Sequence, residues 1–265
     1  MFANACSDVK VRSLSRFGKQ GPDGDFFELV LEHPDETSPA WKNWKPGQFI
    51  MVRPTRWEHN PLWGRPFSIY RAGDGILSVF FQVVGRGTEK LTQLAPGDNV
   101  TVWGPLGNTF VMDENRKTLI LAGGIGMAPF AEYVERHSKP ENVQMIFGHR
   151  PPVENYPFSS IADKIKATSC REQKPEDLQN FIALLEKTIP EYCPDGLIVA
   201  CGPTPFLKTV QRVAADHGGR AQISLENRMA CGVGACLGCV CEHKDKGPVS
   251  VCSRGPVFWS DEITF

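Results

Sequence analysis

Short apolar runs separated by turn residues characterise the first part of the chain. Their length and their β-branched or aromatic content are typical of strands. The predicted strands cover residues 26–31, 48–52, 66–70, 76–84 and 99–103. Turn sequences rich in Gly, Pro and Asp separate them at 46–47, 73–75 and 96–98, and one short helix is predicted at 88–94. Many short strands with regular turns predict an antiparallel β-barrel domain over residues 1–112.

Strands alternate with helices in the next part of the chain, residues 113–224. The predicted elements are a strand at 118–121, a helix at 128–138, strands at 143–147 and 197–200, a helix at 204–217 and a short strand at 221–224. Within 161–191 only a helical stretch at 181–187 is predicted. This alternation predicts a parallel α/β sheet that binds a nucleotide at the carboxyl ends of its strands.

The last part of the chain, residues 225–265, is dominated by cysteines with the spacing C-x4-C-x2-C-x12-C. The candidate ligands are Cys231, Cys236, Cys239 and Cys252. The first three match the spacing of plant-type [2Fe–2S] ferredoxins. Gly232, Gly234 and Gly238 let the loop wrap tightly and offer backbone N–H groups to the sulfurs. This segment is too short to fold alone, so we expect cluster binding to organise it.

Two other kinds of metal site fit these cysteines less well than a [2Fe–2S] cluster does. Structural zinc sites usually pair their ligands as C-x2-C, and only Cys236 and Cys239 form such a pair. A Rieske centre needs two histidines, and only His243 is nearby. Cys241 is a fifth thiol, but it lies two residues from Cys239, on the same face if the segment is extended. That spacing leaves the loop little room, so Cys252 is preferred as fourth ligand.

Composition narrows the class of protein and its compartment. The chain has 265 residues, a net charge of −1 and 41% hydrophobic residues, which is an ordinary globular composition. The chain has no excess of basic residues of the kind that would indicate nucleic-acid binding. The longest nearly apolar run, 119–130, is too short to span a bilayer, and residues 1–20 lack the apolar core of a signal peptide. Nine cysteines, more than half near one end, predict a reducing, cytoplasmic setting.

Two motifs in the first domain favour a flavin nucleotide. In Arg65-Pro66-Phe67-Ser68 the guanidinium can clamp a pyrophosphate, and the Ser68 hydroxyl can donate to a flavin ring nitrogen. In Gly85-Arg86-Gly87-Thr88 a glycine turn before a helix suits a phosphate, and Thr88 can cap that helix. A strand-edge arginine and a simple capped turn are the plain alternatives. The order of the two motifs inside a barrel-like region favours the flavin.

Two motifs in the second domain favour a nicotinamide nucleotide. The run Gly123-Gly124-Ile125-Gly126-Met127-Ala128-Pro129 follows a strand and opens a helix, so its backbone can approach a pyrophosphate. It differs from the G-x-G-x-x-G fingerprint. Cys201-Gly202-Pro203 ends the third predicted strand, where a ligand meets the sheet. Cys201 is expected to line the nicotinamide pocket, the alternative being a small buried apolar residue.

Taken in order, these motifs resemble the ferredoxin–NADP reductase superfamily, and with the cysteines the whole chain resembles the electron-transfer subunits of NAD-dependent (type B) dihydroorotate dehydrogenases. The resemblance implies FAD, a [2Fe–2S] cluster and NAD(H), with NADP(H) open because Arg150 could face a 2′-phosphate. It implies the four cysteine ligands named above and a flavin-containing catalytic subunit as partner, in a hetero-oligomer. The residues implied at FAD are Arg65, Pro66, Phe67, Ser68, Phe80, Phe81, Gln82, Gly87 and Thr88. Residues 150–179 match no known motif.

The resulting hypothesis is a converter of two-electron to single-electron transfer. Reduced nicotinamide docks at 123–126 and 201–203 and passes a hydride to FAD, and single electrons leave through the cluster to the partner. Ser68 and Cys201 are the residues predicted at the reacting atoms. Phe258, Trp259 and Phe265 are predicted either to meet the partner or to pack the cluster segment.

Three alternatives stay open at this point. The same electron transfer could serve a cytoplasmic hydrogenase, a sulfite reductase or another multi-subunit oxidoreductase. A stand-alone oxygenase reductase is disfavoured because its ferredoxin module is larger than residues 225–265. A non-enzymatic zinc-binding scaffold is the remote alternative.

Overall fold

A computed structural model of the chain describes residues 6–21, 24–57 and 60–265, and its first unit is a seven-stranded antiparallel sheet. The strands, in chain order, are β1 (Cys6–Phe17), β2 (Phe26–Glu32), β3 (Phe49–Pro54), β4 (Arg65–Ser68), β5 (Arg71–Gly73), β6 (Ile76–Gln82) and β7 (Asn99–Leu106). They are ordered β4-β3-β7-β1-β2-β6-β5. Two short helices, α1 (Pro39–Lys42) and α2 (Arg86–Leu91), lie in the connections. The barrel-like antiparallel fold is confirmed.

The first strand is absent from the sequence prediction because its apolar content is low. Of its twelve residues only Val9 and Val11 are buried. Its pairing with β2 and β7 comes from long-range hydrogen bonds rather than from local pattern. Residues 1–5, part of the polar stretch predicted not to be a signal peptide, lie outside the described residues.

The second unit is a six-stranded sheet with helices around it. Its elements are β8 (Thr118–Gly123), α3 (Phe130–Glu135), β9 (Val143–His149), α4 (Phe158–Ala162), β10 (Lys166–Arg171), α5 (Pro175–Thr188), β11 (Leu197–Cys201), α6 (Thr204–Asp216) and β12 (Gln222–Ser224), with β15 (Val257–Trp259) at the edge. The order is β10-β9-β8-β11-β12-β15, with the first five parallel. The chain starts at the centre and reverses between β8 and β11, which creates a crevice at their carboxyl ends.

The 161–191 segment contains β10, which sequence patterning misses because the strand is polar and mostly exposed. The helix predicted at 181–187 is the second half of α5. Within the described ranges, no helix is long and apolar enough to cross a membrane.

The C-terminal residues fold back between the first two units. They form β13 (Val240–His243), β14 (Gly247–Ser250), α7 (Val251–Arg254), β15 and β16 (Ile263–Thr264). Strand β15 pairs antiparallel with β12, so the last segment completes the second sheet. Asn108, just after β7, donates to the Val257 carbonyl at 2.6 Å and accepts from the Val257 N–H at 2.9 Å. The domain limits at 112/113 and 224/225 remain predictions.

One apolar core connects all three segments. It contains Met51 and Leu106 from the first sheet, Leu121 from the second, and Cys239 and Cys252 from the C-terminal segment. Because these side chains are in one cluster, the cysteine segment is held against both sheets by burial of apolar surface.

Candidate cofactor sites and metal centre

The two motifs predicted to hold a flavin lie against each other. Arg65 starts β4, where it pairs with Val52 of β3. The Arg65 guanidinium lies so close to Gly87 that a Cβ on Gly87 would collide with its Nε. A side chain at position 87 would therefore displace the Arg65 guanidinium, and residues predicted separately form one cradle.

The charge of this cradle fits an anion. Arg65 donates to the carbonyl oxygens of Trp63 at 3.0 Å and Gly64 at 3.3 Å. Among the described residues no carboxylate forms an ion pair with it. Burial lowers the pKa of Arg65, and the neighbouring positive charge of Arg86 lowers it further. Two cations beside a glycine turn are suited to the pyrophosphate that FAD would place there.

The other predicted flavin residues differ in what their side chains do. The Thr88 hydroxyl accepts from the Val84 N–H at 3.0 Å and donates to the Gly85 carbonyl at 2.9 Å, so it shapes the turn. Ser68 is half-buried at the end of β4. Phe80 and Phe81 are buried and belong to two separate cores. Because both rings are buried, these two residues could contact a cofactor only through their backbone atoms.

The two motifs predicted for the nicotinamide nucleotide also lie together. Cys201 pairs with Ala122 where β8 and β11 end, at the reversal of strand order. A Cβ on Gly126 would collide with the Cys201 carbonyl, and one on Gly123 would lie 2.9 Å from Pro203 Cδ. These glycines let the two loops touch at the position where a parallel sheet binds its ligand.

Glu226 is a functional candidate that the sequence reasoning missed. It follows β12 and its side chain is exposed, and partial desolvation by the protein around it raises its pKa. Burial and, to a smaller extent, the charge of Glu226 raise the pKa of Cys201 to about 12. A hydrogen bond with Ser224 lowers this pKa but does not offset the rise. The Cys201 thiol is therefore neutral at ordinary pH. The sequence signal that could have identified Glu226 is an acidic residue just after a predicted strand, at the carboxyl edge of the parallel sheet.

The four predicted cluster cysteines lie together as two pairs. Cys231 is hydrogen-bonded to the Cys236 thiol, and Cys252 to the Cys239 thiol. Among the described residues no three Cys, His, Asp or Glu side chains surround one point closely enough to hold a single metal ion. A [2Fe–2S] cluster uses two ligands on each iron, which matches an arrangement in pairs.

Backbone N–H groups point at these sulfurs. The N–H of Val233 donates to Cys231 Sγ at 3.4 Å and that of Gly234 to Cys252 Sγ at 3.1 Å. The Cys252 N–H donates to Cys239 Sγ at 3.4 Å. Such donors stabilise thiolates and tune a cluster. The donor set and its hydrogen bonds therefore fit an iron–sulfur cluster.

The pKa values of the thiols differ across the site. Burial alone would raise the pKa of Cys231, but backbone N–H groups and the Cys236 thiol lower it to about 7. Burial and the neighbouring Cys239 raise the pKa of Cys252 to about 12. A metal must therefore displace a proton from Cys252, whereas Cys231 is partly ionised at neutral pH.

Cys241 has a different environment from the four. It lies on β13, paired with Val249 of β14, and its side chain packs against the apolar core. Burial and then the charge of Cys239 raise its pKa. Its position in a strand supports Cys252 as the fourth ligand.

Comparisons with known proteins agree with this geometry. Residues 226–264 match the family model "Iron-sulfur cluster binding domain of dihydroorotate dehydrogenase B". The chain is 34% identical over 234 residues to the "Dihydroorotate dehydrogenase B (NAD(+)), electron transfer subunit" of Caldanaerobacter subterraneus subsp. tengcongensis, covering 85% of this chain and 90% of that protein. The protein of the same name from Clostridium acetobutylicum is 34% identical, with 83% and 86% covered. The chain belongs to this family of electron transfer subunits.

Solved structures agree on the fold. An NADH-dependent reduced ferredoxin–NADP oxidoreductase matches with a TM-score of 0.76 at 20% identity. The match covers all of this chain and 91% of that one. A mutant of ferredoxin–NADP+ reductase from Plasmodium falciparum in complex with 2′P-AMP matches with a TM-score of 0.65 at 11% identity, covering 80% of this chain and 91% of that one. At such identities the likeness extends to the fold alone.

Replacing the fourth ligand should remove iron, whereas replacing the fifth thiol should not. We expect Cys252→Ser to lose most of its iron because one pair of ligands is broken, and Cys241→Ser to retain it. Iron and sulfide are measured on purified protein, with the visible spectrum. Normal iron in Cys252→Ser together with loss in Cys241→Ser would reverse the assignment.

Arg65→Ala should weaken FAD retention. Loss of a charged hydrogen-bonding group costs about 1.5–3 kcal/mol, or roughly 10- to 150-fold in the dissociation constant. FAD binding to apoprotein is followed by fluorescence titration. Arg16→Ala, which removes the arginine paired with Asp25 on the same sheet, is the control and should bind FAD normally. Equal FAD affinity in the two variants would contradict the clamp.

Proposed function

We propose that this chain takes electrons from NADH and delivers them singly to a flavin-containing dihydroorotate dehydrogenase subunit. FAD, when bound, accepts a hydride, and the [2Fe–2S] cluster carries single electrons. The observation that carries the proposal is the packing of the cysteine loop on the flavin sheet. A Cβ on Gly232 would lie 2.6 Å from Met51 Cγ, and Met51 pairs with Pro66 of the flavin motif.

Each segment of the chain has a positioning role in this proposal. Arg65 and the turn at Gly87 would hold the pyrophosphate of FAD, and the Ser68 hydroxyl would donate to a flavin ring nitrogen. The loops at 123–126 and 201–203 hold NADH at the crevice. Cys201, kept neutral by its raised pKa, adds no charge next to the nicotinamide.

NADH is favoured over NADPH by the pairing of Arg150. Its guanidinium donates to the Glu172 carboxylate twice, at 3.2 and 3.1 Å. The arginine that could face a 2′-phosphate therefore already has a counter-charge, and a phosphate would approach a carboxylate.

The partner is proposed to dock on the outer side of the cysteine loop. Residues 229–241 include no Lys, Arg, His, Asp or Glu, and 235–238 and Val240 are exposed. Leu237 is 68% exposed and has a φ of 53°, a conformation that a leucine rarely adopts. A surface that lacks charged residues and exposes apolar side chains is typical of the core of an interface. Phe258 is buried and Trp259 half-buried beneath Arg220, which favours packing over docking for those two rings.

A cytoplasmic location is part of the same proposal. All nine cysteines are free thiols, including those remote from the cluster. Free thiols in this number support a reducing compartment.

The decisive experiment uses the purified chain together with its natural dihydroorotate dehydrogenase subunit. We expect FAD and two irons per chain, and NADH-dependent reduction of orotate only when both subunits are present. NADPH should be a much poorer donor. A colourless protein containing zinc and no flavin, or isolation of the chain in a hydrogenase complex, would contradict the proposal.

Leu237→Asp should weaken assembly without disturbing the loop. Aspartate tolerates a positive φ, so the backbone is retained, while burying its charge against an apolar partner is unfavourable. We expect the dissociation constant between subunits to rise roughly tenfold or more, from loss of one buried leucine. Leu178→Asp, on exposed α5, is the control. Identical subunit affinity in both variants would remove Leu237 from the interface.

A further inference from the structure

Trp103 of β7 reaches from the flavin sheet to the cysteine loop. Its indole N–H donates to the carbonyl oxygen of Cys231 at 2.9 Å. Cys231 is one of the predicted cluster ligands. Because its sulfur is attached to this backbone, a hydrogen bond that holds the carbonyl also restricts the position of the sulfur. The side chain is half-buried and packs against the core that contains Cys239 and Cys252.

Sheet register places this indole next to the flavin motif. Trp103 pairs with Met51, and Met51 pairs with Pro66 on the other side. Neighbouring strands lie roughly 4.8 Å apart, so the backbones of Trp103 and Pro66 are about 10 Å apart. The pairing shifts register between Phe49 and Met51, and such irregularities redirect side chains.

The outer ring atoms of the indole lie against Gly64, in the space that a side chain at that position would occupy. A Cβ on Gly64 would be 2.6 Å from Trp103 Cη2 and 3.3 Å from its Cζ2. Gly64 has no left-handed φ, so the backbone conformation does not require glycine there. Space does, because the Cβ would meet the indole and would also lie 3.2 Å from the Val52 carbonyl oxygen. Gly64 directly precedes Arg65. The ring thus spans from the segment that starts the flavin motif to the loop that starts the cysteine motif.

We propose that Trp103 is a positioning residue that holds the cluster loop against the flavin segment, and that Gly64 is glycine in order to admit it. The inference rests on the proposed function, because it concerns the distance between the two sites of that function. A tryptophan that only filled the core would not need a hydrogen bond to a ligand's carbonyl.

The test is a double-mutant cycle on the holoprotein with Trp103→Phe and Gly64→Ala. Phenylalanine lacks both the N–H and the outer ring atoms that a Cβ on Gly64 would meet. We expect Trp103→Phe to speed amide exchange across residues 231–239 about five- to tenfold, as for loss of one hydrogen bond, and to speed iron release to a chelator similarly. NADH-driven flavin reduction should keep its rate.

Gly64→Ala should displace the indole and give the same loop phenotype. In the double variant the alanine meets no ring, so the effect should not exceed the larger single effect. Trp41→Phe, which changes a buried tryptophan of α1 that packs in a different core, is the matched control and should leave loop exchange unchanged. Additive effects, or normal exchange in Trp103→Phe, would overturn the inference.

A second measurement uses the wild-type protein in case a variant fails to fold. With 15N-labelled tryptophan, the indole N–H signal of Trp103, identified as the one that Trp103→Phe lacks, should be sharp in the iron-free protein. It should be broadened in the loaded protein once the cluster is reduced by one electron and has an unpaired spin. If no indole signal broadens, the inference is wrong. Protein lacking flavin or iron would instead contradict the proposed function, so the two failures are distinguishable.

Discussion

The packing of the cysteine loop on β3 of the antiparallel sheet is the contact on which the remaining structure depends. Gly232, with a φ of 73°, rests on Met51 and Leu106 at distances that exclude any side chain. Behind the loop, Cys239 and Cys252 are buried in the core shared by all three segments. A segment of this size buries too little surface to fold alone, so this shared core supplies the stability it lacks.

That contact also explains why the chain returns to the second sheet. Strand β15 pairs with β12, and Asn108 binds both the N–H and the carbonyl of Val257. Both ends of the cysteine segment are thereby tied to ordered strands. The loop between them can turn its backbone N–H groups toward sulfur, because these attachments and its buried cysteines fix its position.

Motifs whose chemistry is local could be predicted from the sequence, and contacts that depend on register could not. The cysteine spacing indicated the thiols that lie together, and the glycines at 123 and 126 indicated the loop that touches Cys201. The polar strands β1 and β10 were missed because long-range pairing overrides their local pattern. Trp103 was missed because its role follows from a register shift between β3 and β7, which no local signal encodes.

The loop must meet two opposing demands, and its residues divide them by face. Toward the protein, Cys239 and Cys252 are buried and N–H groups point at sulfur, which protects a cluster from water. Toward solvent, Cys236 and the apolar side chain of Leu237 are exposed. Electron transfer to another protein needs a short path, and a charged or thick covering would lengthen it or raise its desolvation cost. The strained φ of Leu237 is consistent with selection for an apolar side chain at that outer face, where glycine would be easier to accommodate.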